Sequence, residues 1–100
     1  MLSVEEISKR LSPIFEKGGV TKAILFGSYA SGDATENSDV DIVIQTLPHI
    51  RGLKFYGIIG LVTDGLGKKV DLIPQRSIIS GGKVDEEISR KGKVIYERQG

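Results

Sequence analysis

Three short stretches of this sequence hold side chains suited to phosphate chemistry: Gly27-Ser28, Asp39-Val40-Asp41 and Asp71. Glycine lets a ligand approach the backbone closely, and the free amide donors of a helix start favour a phosphate. The Ser28 hydroxyl adds a further donor. Asp39 and Asp41 are two residues apart, so on a strand their carboxylates point the same way, roughly 6–7 Å apart. Two carboxylates at that distance repel by ~2 kcal/mol at an effective dielectric of ~20. A divalent cation between them reverses the sign of that interaction. Magnesium, a hard ion, prefers carboxylate oxygens and fills its remaining sites with water or phosphate. Asp71 lies between Val70 and Leu72, and strand alternation puts it on the face opposite both. If its strand lies beside that of Asp41, the three carboxylates form one acidic cluster, the layout of a two-metal site.

Taken singly, each stretch has a plainer reading. Gly-Ser after a strand is a turn, Asp-x-Asp is a charged strand face that deters aggregation, and Asp71 is a solubilising strand end. Their combination is what points to metal-assisted chemistry. Competing motifs fail on spacing. A calcium loop starting at Asp33 has Ser38 where glycine is needed and Ile44 where glutamate is needed. The sequence contains no Gly-Lys-Ser/Thr phosphate loop, and no Gly-x-Gly-x-x-Gly follows a strand. His49 is the only histidine, which excludes a two-histidine metal site; beside Pro48 it reads as a solvent-facing loop residue. With no cysteine there is no disulfide framework, zinc–cysteine site, iron–sulfur cluster or thiol nucleophile.

Alternating helices and strands are expected to position these groups. Ser3 and Glu6 fit a capping box, and Val4, Ile7, Leu11 and Ile14 or Phe15 recur at helical spacing, predicting a helix over 4–17. Pro13 inside it is expected to kink or split the helix, and Gly18-Gly19 to end it. Residues 20–26 read as a strand stopped by Gly27, followed by a turn with one or two helical turns near Ser28 and then a loop. Residues 39–46 alternate, with Val40, Ile42 and Ile44 on one face and Asp39, Asp41, Val43 and Gln45 on the other. Residues 50–66 carry Ile50, Leu53, Ile58, Leu61, Val62 and Leu66 near helical spacing, weakened by four glycines that each cost roughly 1 kcal/mol against alanine. Lys69 to Ile73 reads as a strand, 75–83 as a loop, Val84 to Lys91 as a helix and Lys93 to Tyr96 as a last strand. The fold class is therefore α/β (α+β), with one mixed sheet of about four strands packed by helices.

One hundred residues and 10.8 kDa fit a single domain over 1–100. Fourteen basic residues nearly cancel thirteen acidic ones, for a net charge of +1, so there is no general pull towards nucleic acid and no extended nucleic-acid binding is expected. No apolar run exceeds the four residues Ala23 to Phe26, which leaves no membrane span. The first residues, Met-Leu-Ser-Val-Glu-Glu, are acidic where a secretory signal is basic. A cytoplasmic location is expected.

Gly27-Ser28, ten intervening residues, Asp39-x-Asp41 and a later Asp71 in a strand resemble the minimal nucleotidyltransferase domain of the polymerase-beta-type superfamily. Within it the chain is similar to the MNT antitoxins that pair with HEPN toxins. The resemblance runs almost end to end: the leading helix, Phe26-Gly27-Ser28-Tyr29-Ala30, Ser38-Asp39-Val40-Asp41, Gly67-Lys68-Lys69-Val70-Asp71-Leu72 and Tyr96-Glu97. In one place the chain departs from the pattern. Many relatives carry an arginine two residues after the tyrosine, where this chain has Ser31.

The resemblance implies magnesium-dependent transfer of AMP from ATP to an acceptor hydroxyl. Gly27 and Ser28 would cradle the β- and γ-phosphates. Asp39, Asp41 and Asp71 would be the catalytic carboxylates and would hold two magnesium ions, with Asp71 also placed to accept the acceptor's proton. Lys68, Lys69 or Arg51 could add positive charge, though each also reads as an ordinary surface charge. The partner implied is a HEPN toxin whose tyrosine hydroxyl is modified. A glycine-rich stretch, Phe55 to Val62, offers a docking surface, against the plainer reading of a core-facing helix. Two alternatives stay open: a silent module that neutralises its partner by occlusion, and a nucleotidyltransferase acting on a small molecule or an RNA end.

Overall fold

The computed structural model describes residues 2–98. Within them the order is α1 (Val4–Gly18), β1 (Val20–Phe26), α2 (Ser28–Ser31), β2 (Val40–Thr46), α3 (Leu53–Leu66), β3 (Val70–Pro74), a 3-10 turn (Gln75–Ser77), α4 (Lys83–Lys91) and β4 (Lys93–Glu97). The Ser3 hydroxyl oxygen caps α1 by accepting from the Glu6 N–H at 3.1 Å, and Glu5 and Glu6 lie at the positive end of the helix. Ile7, Leu11 and Phe15 are fully buried. Pro13, expected to kink or split the helix, instead sits inside one helix assigned without a break. It and Lys9, one turn earlier, are on the exposed face, so the carbonyl that loses its donor is turned to water rather than to the core. Gly19 closes the helix at φ 79°, a left-handed conformation, and donates its N–H to the Phe15 carbonyl.

The strands form one mixed sheet in the order β3-β2-β1-β4. β1 is antiparallel to both β2 and β4, while β2 runs parallel to β3. Alternation divides the sheet into two faces. On the inner face Ala23, Leu25, Val40, Ile42, Ile44, Val70, Leu72 and Ile95 join the buried residues of α1 and α3 in the main core. The outer face carries Asp41, Val43 and Gln45 of β2 and Asp71 of β3, and α4 packs against β1. Strand ends shift by one residue from the sequence reading, since β2 begins at Val40 and β3 spans 70–74.

α3 departs further from expectation. It begins at Leu53, and its buried stripe is Phe55, Ile58, Val62 and Leu66, so the stretch from Phe55 to Val62 does turn apolar side chains to the core. Leu53 and Leu61 were expected in that stripe, but they lie off its helical phase and are 89% and 55% exposed. Ile50 is buried from the preceding loop instead, its side chain standing 3.0 Å from where a Cβ on Gly19 would lie. Packing of one face, rather than propensity, thus supports a helix with three internal glycines. No helix among the described residues is long and apolar enough to cross a membrane.

Ile42 is fully buried in the strand beneath the acidic residues. Ile42→Ala is expected to lower stability by about 2–5 kcal/mol, read as a fall in the urea midpoint without a change in slope.

Candidate active site

The last residue of β1, Phe26, pairs with Asp41, and Gly27 follows directly. Gly27 adopts φ 73°, ψ −155°, a conformation essentially reserved for glycine. Space imposes the same choice. A Cβ on Gly27 would run into Oδ2 of Asp41 and lie 3.2 Å from its Cγ. The missing side chain is the room that the Asp41 carboxylate occupies. The Gly27 carbonyl accepts from the N–H groups of Ala30 and Ser31, both at 3.1 Å, which turns the chain into α2. Tyr29 and Ala30 are buried in the main core and fix that turn against the sheet. Ser28 and Tyr29, at the start of the helix, have no intrahelical acceptor for their N–H groups.

The parallel register of β2 and β3 sets Asp41 opposite Asp71, flanked by the pairs Val40–Val70 and Ile42–Leu72. The strand order anticipated from sequence is present, and it brings these two carboxylates to neighbouring positions on the outer face. Asp39 enters from a loop shaped by Thr35 and Ser38. The Thr35 N–H donates to the Ser38 hydroxyl at 2.9 Å, and the Ser38 N–H donates to the Thr35 carbonyl at 3.1 Å. The Asp39 carboxylate pairs with Lys69, Oδ2 to Nζ at 3.6 Å, while the Val40 N–H donates to the Lys69 carbonyl at 3.1 Å. Lys69, weighed from sequence as extra positive charge, thus pairs with an acidic residue of the site. Among the described residues no three carboxylates or imidazoles converge closely enough to hold a metal ion as they stand. Asp41 and Asp71 form the close pair, and Asp39 leans on Lys69.

Partial burial, followed by the negative charges of Asp71, Asp39 and Glu87, pushes the Asp41 carboxyl up from 3.8 to about 6. Glu87, on α4, is a contributor that sequence reading missed. Its only signal was its place in a short charged helix, and nothing local says that this helix packs over β1. The donor set suits a hard divalent cation: oxygen ligands only, with a crowding of negative charge that a cation would offset.

Ser31, standing where many relatives have arginine, has two acceptors within reach of its single hydroxyl proton, the Asp33 carboxylate at 3.0 Å and the Ser28 carbonyl at 3.3 Å. It braces the turn and brings no charge. Lys68 donates to the Glu36 carbonyl at 3.0 Å and stands 5.6 Å from the centre of the Tyr29 ring, tying the loop before Asp39 to the loop before Asp71. Arg51 lies apart from these groups, in a groove at the other end of the sheet. His49 is exposed, as expected.

Over residues 4–95 the chain matches the family described as the nucleotidyltransferase domain. It is 38% identical over 87 residues to a Thermococcus cleftensis protein named protein adenylyltransferase MntA, covering 81% of this chain and 86% of that one. It is 34% identical over 82 residues to a Methanocaldococcus jannaschii protein named as a candidate protein adenylyltransferase, covering 77% and 83%. Among solved structures the fold is similar to a chain of a toxin–antitoxin crystal structure with AMP-PNP, with a TM-score of 0.76, 21% identity and coverage of 92% and 74%. It is also similar to a chain in the complex of a tri-AMPylated Shewanella oneidensis HEPN toxin with an MNT antitoxin, with a TM-score of 0.70, 16% identity and coverage of 95% and 73%. These two likenesses establish the α+β fold.

Two outcomes follow from the geometry around Asp41. Gly27→Ala strains the backbone and evicts the carboxylate, so it is expected to cost about 1–3 kcal/mol of stability in urea titration. Because the folded state raises the Asp41 pKa, that state binds more protons than the unfolded chain between pH 3.8 and about 6. Stability therefore falls as pH rises through that window. Asp41→Asn removes the effect: without divalent cations its thermal midpoint should exceed that of the parent at pH 7.5, and the gap should close towards pH 4.

Proposed function

The chain belongs to the nucleotidyltransferase domain family, and from that premise we propose that it transfers AMP from ATP to a tyrosine hydroxyl of a partner HEPN toxin, acting as the antitoxin. Residues 1–100 act as one catalytic domain in this reading. The observation that carries it is the Asp41–Asp71 pair, with Gly27 shaped to leave the Asp41 carboxylate its place. The name of the Thermococcus cleftensis relative supports adenylyl transfer to protein. The toxin–antitoxin complexes that share the fold support the choice of nucleotide and partner.

Gly27 and Ser28 bind the β- and γ-phosphates through backbone N–H groups, with the Ser28 hydroxyl as a further donor. Asp39, Asp41 and Asp71 would hold two magnesium ions, which when bound neutralise triphosphate charge and lower the pKa of the acceptor hydroxyl. For this Asp39 exchanges its contact with Lys69, a half-exposed ion pair of small energetic weight. Asp71, exposed at the edge of the site, takes the proton as the acceptor oxygen attacks the α-phosphorus in line and pyrophosphate departs. The work of the protein is positioning and charge stabilisation. With Ser31 uncharged, the site draws less on its own side chains to neutralise the triphosphate than an arginine-bearing relative does.

The test is transfer of label from α-labelled ATP, with magnesium, to a co-purified HEPN toxin. Asp39→Asn, Asp41→Asn and Asp71→Asn are each expected to reduce labelling ~100-fold or more while leaving the complex intact on gel filtration. Neutralisation of the toxin that survives all three substitutions would establish occlusion instead. Label on RNA or a small molecule, with none on the toxin, would keep the transferase and discard the partner.

A further inference from the structure

We propose that the groove at the end of the sheet away from the acidic pair is a phosphate subsite, which holds the phosphodiester of an adenylate already joined to the acceptor. The inference rests on the nucleotidyl-transfer reading and adds to it a place for the product. Along β2 the outer face runs Asp41, Val43, Gln45, and along β3 it runs Asp71, Ile73 and on to Gln75 of the 3-10 turn. Four residues of strand span ~13 Å. One lane therefore leads from the paired carboxylates to the two glutamines. At its end lies a groove of about 450 Å³ bordered by Gln45, Thr46, Pro48, Arg51, Gln75 and Arg76, a volume in the range of small-molecule sites.

The charge of this groove is opposite to that of the acidic end. Two arginines line it and no acidic residue does. Among the described residues neither Arg51 nor Arg76 forms an ion pair. The Arg76 guanidinium carbon stands 6.0 Å from the centre of the Phe55 ring, a contact that limits its rotamers before any ligand arrives. Arg51 comes from the loop ahead of α3 and Arg76 from the turn after β3, so the two arginines border the groove from different elements. Gln45 and Gln75 supply amide donors beside them.

Between the two ends lies a cavity of about 240 Å³, walled by Ile24, Val43, Ile78 and Ile88 with Ser80 and Asp85. Gln75 borders both spaces, which sets them side by side. The apolar walls suit the faces of a base. Oδ2 of Asp85 accepts from the Gly81 N–H at 2.8 Å, and its other oxygen suits the exocyclic amine of adenine. An adenylated acceptor thus places its base in the cavity and its phosphodiester at the arginines, leaving the acidic end open to ATP. An acidic peptide would satisfy the arginines but would leave the apolar cavity unused.

The probe is N-acetyl-tyrosinamide carrying AMP on its phenolic oxygen, titrated by calorimetry into the full chain without divalent cations. Binding is expected, weakened about tenfold by Arg51→Ala and again by Arg76→Ala. Lys54→Ala removes the same charge from the exposed side of α3 and should leave binding unchanged. Arg51 sits in an exposed loop, so its variant tests the groove even if loss of the Arg76–Phe55 contact unfolds the other. No binding, or binding indifferent to both arginines, overturns the proposal. So does equal affinity for tetraglutamate or for N-acetyl-tyrosinamide without AMP. Label transfer without arginine-dependent probe binding discards the groove alone. Arginine-dependent binding in a chain that transfers nothing discards the transferase reading and keeps the groove.

Discussion

The parallel ladder between β2 and β3 holds Asp41 and Asp71 at paired positions, and their mutual repulsion is the strain the surrounding structure must carry. Neither side chain can leave, because alternation ties each to a neighbour that the core requires. Moving Asp41 off the outer face would expose Val40 and Ile42, both fully buried. The apolar inner face thus enforces the acidic outer one. Burial and like charge then raise the Asp41 pKa to about 6, which puts its protonation within reach of cellular pH and makes a cation its natural counterpart.

The supporting elements divide the labour by face. α1 and α3 cover the inner side and bury the apolar core there. The outer side is covered only in part by α4, which has no fully buried residue of its own, and by the turn after β3. A sheet sealed on both faces would bury more apolar surface, but it would shut the carboxylates away from solvent.

Most of this fold was legible because its signals are local. The Ser3–Glu6 cap, the strand at 20–26 and the alternation of Val40, Ile42 and Ile44 each follow from a few neighbouring residues, and the structure has them within a residue or two. The pairing of Asp41 with Asp71 was a conditional inference, resting on a strand order that no local signal fixes. Where reading failed, the cause was three-dimensional. Pro13 is harmless because its side of α1 meets water. Leu53 and Leu61 are exposed because Phe55 sets the buried phase of α3. Glu87 and the Lys69–Asp39 pair were invisible because they depend on which loops and helices come to lie over the sheet.

Gly27 and Asp41 occupy what is in effect one side-chain volume, and they are bound to it for unequal reasons. In the proposed reaction Asp41 is needed for its charge alone. Gly27 is held by that carboxylate and, independently, by a backbone conformation that other residues avoid. A lineage released from selection for the chemistry would therefore decay in a set order. Asp41 could drift at once to a neutral residue of similar size, even gaining stability, while Gly27 persisted to keep the turn. Descendants with the glycine intact and the aspartate gone would be folded relics, and retention of the Gly-Ser pair would record ancestry rather than activity.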